Sequence, residues 1–154
     1  MKVAAAFDHR GSRLRETVLG AIVEAGHEPL DLGTGSDGER VDYPDKALDI
    51  GRALRAGHAE RGVLVCGSGV GASVAASKLP GIRAAVCHDM YSARQGVEHD
   101  DVNVLCLGAE IVGPELTREL VRTFLGARFS GVERDVQRLA QVAELERLTP
   151  GDGL

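Results

Sequence analysis

Five short apolar runs divide the chain, and each ends in a polar or glycine-bearing break. Residues 3–7 (VAAAF), 28–32 (EPLDL), 63–66 (VLVC), 82–87 (IRAAVC) and 103–107 (NVLCL) read as strands. Between them, apolar positions recur at helical spacing. Leu14, Val18, Ile22 and Val23 form one such stretch, which Gly26 ends. Ala47, Ile50 and Leu54 form another; Pro44 suits its first turn and Gly57 its stop. Residues 72–78 and 91–97 read as two further helices. Leu116, Leu120, Val121, Phe124 and Leu125 share one face of a helix opened by Gly113 and Pro114, and a last helix is expected over 133–148. The stretch 33–44 (GTGSDGERVDYP) is a loop by composition. Apolar strands alternating with helices predict an α/β fold whose parallel sheet is covered on both faces. No repeat or linker interrupts residues 1–149, so one domain is expected there, with 150–154 a frayed tail.

Composition narrows the classes. The 154 residues are 44% hydrophobic and only 3% aromatic, without tryptophan, so the core must be built from Val, Leu, Ile and Ala. A net charge of −5 with no basic stripe argues against nucleic acid as a partner. No apolar run is long enough for a membrane span and no signal peptide is recognisable, so a cytoplasmic protein is expected. Cys66, Cys87 and Cys106 lie in or at the ends of apolar runs, an odd number that reads as reduced thiols. They lack the close Cys/His spacing of a zinc site, and neither a metal nor a cofactor is expected.

The candidate chemistry centres on residues 63–71, VLVCGSGVG. A strand, a glycine turn and a helix start make an anion cradle, because the first N–H groups of a helix lack intrahelical partners. Cys66 ends the strand beside that positive end, which favours thiolate. A thiolate next to oxyanion-binding N–H groups is equipment for moving a proton beside a carbonyl. Asp8 and His9 follow the first strand and can converge on the same place, since ligands of such sheets bind at the carboxyl ends of strands. Cys87 and Cys106 read as small core residues, and His27, His58 and His88 have weaker claims. A nucleotide-binding module is disfavoured, because GSGVG after the third strand is not the dinucleotide fingerprint after a first.

These residues resemble one family. DHRG at 8–11, ERVDYP at 39–44, CGSGVG at 66–71, GIRAAVC at 81–87, HDDVNVL at 99–105 and IVG at 111–113 occur in the order found in type B ribose-5-phosphate isomerases, a family that includes the galactose-6-phosphate isomerase subunits. The resemblance implies a Rossmann-like three-layer sandwich with a five-stranded parallel sheet. It also implies a homodimer or homotetramer with shared sites, the C-terminal helix packing on a partner subunit, and no metal. It implies aldose–ketose isomerisation of a sugar phosphate through a cis-enediolate. In that scheme Cys66 is the base and His99 opens the sugar ring. Gly67, Ser68, Gly69, Val70 and Gly71 serve the enediolate oxygens, and Asp8 and Tyr43 hold hydroxyls. His9 lies near the phosphate, which Arg134 and Arg138 bind. His99 precedes the fifth strand whereas Cys66 ends the third, so His99 is expected from a neighbouring subunit.

Three positions depart from the family pattern. Asp100 stands where Asn is typical, Glu110 where an arginine near the phosphate is usual, and Asp135 where His is common. An ionised Asp100 cannot donate to an oxyanion; it would serve if protonated or if it received a substrate hydroxyl. These exchanges leave open another substrate (a tetrose, hexose or unphosphorylated sugar) and a non-catalytic subunit of a hetero-oligomer.

Overall fold

Alternation along the strands splits the core into two halves. In the computed structural model, which describes residues 1–33 and 40–148, the strands are β1 (Lys2–Phe7), β2 (Glu28–Asp31), β3 (Arg61–Cys66), β4 (Ala84–Val86) and β5 (Val104–Gly108). The helices are α1 (Arg15–Glu24), α2 (Tyr43–Arg55), α3 (Val70–Ala76), α4 (Met90–Asp100), α5 (Pro114–Gly126) and α6 (Glu133–Leu145). Val3, Ala5 and Phe7 of β1, Val63 and Val65 of β3, and Leu105 and Leu107 of β5 meet Val18 and Ile22 of α1, Val97 of α4, and Leu120 and Phe124 of α5. Ala4, Ala6, Leu64, Cys66, Val104 and Cys106 point the other way, onto Ala47 and Ile50 of α2 and Ala72 and Ala76 of α3. Both faces of the central strands are therefore buried, which explains their unbroken apolar runs.

All strand pairs are parallel, in the order β2-β1-β3-β5-β4. The protein is a Rossmann-like α/β sandwich. From β1 the chain moves outward to β2 on one side, then returns to lay β3 on the other. That reversal opens a crevice at the carboxyl ends of β1 and β3.

Element boundaries differ from expectation in instructive places. β4 spans three residues rather than 82–87. At its entry Arg83 donates its N–H to the Asn103 side chain at 2.8 Å, so a side chain replaces the ladder there. α3 starts at Val70, two residues early, and α6 ends at Leu145, short of 148. α4 runs past Val97 to Asp100, opened by Asp89, whose carboxylate accepts the Ser92 N–H at 2.8 Å, and closed by Asp101 at φ 46°. His99 and Asp100 thus ride on the last helical turn. The loop expected over 33–44 lies partly outside the described residues, as does the tail; Pro44 does open α2. Among the described residues no helix is long and apolar enough to cross a membrane.

Candidate active site

The crevice between the ends of β1 and β3 holds a cavity of about 330 Å³. Asp8, His9 and Arg10 enter it from the end of β1, Cys66, Gly67, Ser68 and Gly71 from the end of β3, and Glu110 from the end of β5. Arg40, Asp42 and Tyr43 close it from the start of α2.

The turn after Cys66 is shaped by its glycines. Gly69 sits at φ +81°, in the left-handed region open to glycine, and this bend carries its N–H back to Cys66 Sγ at 3.1 Å. A side chain at Gly71 would place its Cβ 2.9 Å from Cζ of Tyr43, so glycine lets the phenol ring lie flat on the first turn of α3. Ser68 Oγ accepts the Val70 N–H at 3.3 Å. Behind the turn, the N–H groups of Ala109 and Glu110 donate to the carbonyls of Cys66 and Gly67 at 2.8 and 2.9 Å. His88 Nε2 accepts the Gly108 N–H at 2.9 Å, which requires the neutral ring. Burial lowers the His88 pKa in keeping with that. The cysteine turn is therefore fastened to the end of β5, and β5 to His88.

Asp8 is buried, and its Oδ1 accepts two backbone N–H groups, from Arg10 at 2.8 Å and Gly11 at 2.7 Å. This wraps the chain into the 3-10 turn Gly11–Leu14 and leaves Oδ2 without a donor among the described residues, in a side chain that lines the cavity. His9 Nδ1 lies 3.0 Å from the Val41 carbonyl, so the proton sits on Nδ1 and Nε2 is the free nitrogen. The site can hold hydroxyls, present N–H groups to a developing oxyanion, and move a proton at sulfur.

The other candidates do not reach this cavity within one chain. The register sets Cys66 beside Gly108, whereas His99 precedes Val104, four residues or ~13 Å lower along the sheet. His99 Nδ1 instead lies 3.0 Å from Gln95 Nε2. Asp100 and Arg138 face a second cavity of about 420 Å³ between α6 and the entry to β4. It is larger, but neither the cysteine nor the glycine turn belongs to it. Asp135 is buried at the start of α6; its carboxylate accepts from Arg134 Nε at 2.8 Å and Ser130 Oγ at 2.7 Å, and lies 3.9 Å from Arg138. The Arg134 guanidinium holds its pKa below the usual carboxylate range. Asp135 is thus an anchor for α6 and both arginines, absent from the anion site of its own chain. Burial pushes the Cys87 thiol up to about 11 and raises Cys106 as well, as suits core residues.

Sequence reasoning passed over Arg10, Arg40, Asp42 and the bracing role of His88. Arg10 and Arg40 lie inside DHRG and ERVDYP, so nearness to those stretches was the available signal. Among the described residues no three His, Cys, Asp or Glu side chains gather as a metal site.

A cysteine and a glycine turn at the switch point of a parallel sheet, flanked by Asp8, His9 and Tyr43, fit a sugar-phosphate isomerase of the aldose–ketose class. The comparisons agree: residues 3–142 match the model of the Ribose/Galactose Isomerase family, and the chain belongs to that family. Ribose-5-phosphate isomerase B of Escherichia coli is 42% identical over 95% of this chain and 97% of its own. D-erythrulose-4-phosphate isomerase of Pectobacterium atrosepticum is 36% identical over 85% of this chain and 86% of its own. The solved type B ribose 5-phosphate isomerase of Trypanosoma brucei superposes with a TM-score of 0.90 at 46% identity, covering 94% of this chain and 97% of that one.

Proposed function

We propose that this protein interconverts ribose 5-phosphate and ribulose 5-phosphate through a cis-enediolate, with Cys66 as the base. The observation that carries the reading is the position of Cys66 Sγ. It lies at the carboxyl end of β3, 3.1 Å from the Gly69 N–H, and lines a cavity shared with Asp8, His9 and Tyr43. Cys66 as thiolate takes the proton from C2 of the open-chain aldose. The electron pair moves to O1, giving an enediolate whose oxygens meet the N–H groups of Gly67, Ser68 and Gly71, while those of Gly69 and Val70 are held by Cys66 Sγ and Ser68 Oγ and shape the turn. The O2 proton passes to O1, and the Cys66 thiol, which exchanges its proton with water, protonates C1 as the C2 carbonyl forms, yielding the ketose with no net change in protons. A positioned base and an oxyanion site each contribute about 10²-fold or more. Asp8 Oδ2 and the Tyr43 hydroxyl hold sugar hydroxyls, and His9 Nε2 faces the phosphate end.

His99, Asp100, Arg134 and Arg138 of the partner subunit complete the site in a homodimer or larger assembly, His99 for ring opening and the arginines for phosphate. Exposed apolar residues support such an assembly: Val70 and Val74 on α3, and Val136, Val142 and Leu145 on α6. A tetrose phosphate is the second reading, favoured by the relative named for erythrulose 4-phosphate and by Glu110 in the cavity wall.

The test assays the purified chain alone in deuterated water against aldose and ketose phosphates and the free sugars. Ribose 5-phosphate is expected to turn over and to gain deuterium, and Cys66→Ala to abolish both while remaining folded. Full activity in Cys66→Ala would sink the mechanism. Turnover of a tetrose phosphate alone would move the substrate, and inactivity on every sugar would favour a non-catalytic subunit.

A further inference from the structure

Asp8, Asp42 and Glu110 stand with Arg10, Arg13 and Arg40 at or beside the cavity, equal in number but unevenly paired. Glu110 sits in its wall but is engaged by Arg13, whose guanidinium lies 3.3 Å from Oε2 and also donates to the Ala109 carbonyl. Arg40 stands 3.7 Å from Asp42. Asp8 is held by backbone N–H groups. Arg10 is the cation left over: among the described residues its guanidinium meets no carboxylate. Its side chain lies along the turn that follows Cys66. A Cβ at Gly67 would stand 3.0 Å from Arg10 Cδ and 3.4 Å from Nη1. Glu110 flanks the same residue from behind, through its N–H to the Gly67 carbonyl at 2.9 Å. Positions 10 and 110 therefore bracket Gly67, and the guanidinium without a carboxylate partner among the described residues is on the side of position 10.

We propose that Arg10, resting on Gly67 beside the reacting cysteine, reads the anionic end of the substrate and sets the preference for a phosphorylated sugar. The inference rests on the isomerase reading above and deepens it by naming a specificity-determining residue. Position 110 carries an acid here, and Arg13 engages it. Arg10 supplies a cation on the other side of Gly67. The planar guanidinium suits a phosphate, which accepts two parallel N–H bonds from it. Glycine at 67 leaves room for the arginine stem to pass.

The test compares ribose 5-phosphate with D-ribose on folded protein in the Cys66→Ala background, which binds without turnover. Ribose 5-phosphate is titrated calorimetrically, and D-ribose is read by competition against it. Arg10→Gln is expected to cut the preference for the phosphorylated sugar roughly 10- to 100-fold, the effect of losing one charged hydrogen-bond partner. D-ribose affinity should stay unchanged, and Arg10→Lys should recover most of the preference. An unaltered preference in Arg10→Gln, or an equal loss for both sugars, overturns the assignment. Turnover of ribose 5-phosphate by the native chain is read separately. Its absence would sink the isomerase substrate, while the affinity ratio alone decides the role of Arg10.

Discussion

Asp8 performs two tasks with two oxygens, and substitution can separate them. Oδ1 holds the N–H groups of Arg10 and Gly11, and the Gly11 bond is fully buried. A hydrogen bond to a charged acceptor is worth about 1.5–3 kcal/mol, and a buried donor left alone costs a similar amount. Counting the buried bond in full and the partly exposed one at about half, Asp8→Ala should lose about 2–4 kcal/mol. For a chain of this size that lowers Tm by roughly 10 °C. Asp8→Asn keeps a carbonyl oxygen where Oδ1 was, so it should lose less than about 1 kcal/mol. It turns the other oxygen, which takes no backbone N–H, into a donor, however, which opposes a sugar hydroxyl that donates. The Asn variant should therefore be nearly native in thermal unfolding at fixed protein concentration, yet bind substrate about 10-fold more weakly or worse. The reasoning is refuted if Asn destabilises as much as Ala, or if Asn isomerises sugar phosphate with unchanged KM.

Two further predictions concern the frame of the site. Gly71→Ala sets a Cβ 2.9 Å from the Tyr43 ring and should cost about 1–3 kcal/mol by urea unfolding; the added change Tyr43→Ser should return most of it, and a neutral Gly71→Ala would show that the ring is free to move. His88 must stay neutral to accept the Gly108 N–H, and burial lowers its pKa below the ordinary 6.5. With the folded pKa below the unfolded one, the unfolded chain binds more protons in that window, so stability is full above about pH 6.5 and falls with pH through the folded pKa. His88→Gln keeps an acceptor without a charge and should flatten that acid limb in unfolding titrations; an unchanged slope would remove His88 as its source.

Much of this protein was legible from its residues because the signals were local. Strand runs, helix stops and the order of the short motifs depend on near neighbours, and they yielded a parallel α/β sheet with Cys66 and Asp8 at strand ends. The family followed from those motifs, since a strand, a glycine turn and a helix start are contiguous in sequence. Boundaries slipped where a side chain substituted for backbone, as Asn103 does at the entry to β4, or where a cap lay outside the apolar pattern, as Asp89 does for α4.

What tertiary structure decided was charge. Along the chain, Glu110 and Asp135 read as acids set against a phosphate. Folding brings Arg13 onto Glu110 and turns Asp135 inward between Arg134 and Ser130, so neither acid stands free. It also sets Arg10 and Glu110 on either side of Gly67, positions a hundred residues apart that no local pattern brings together. The electrostatics of a site depend on distances between side chains from separate strand ends. Periodicity determines which face of an element is buried, but only the sheet order and register determine which charges meet.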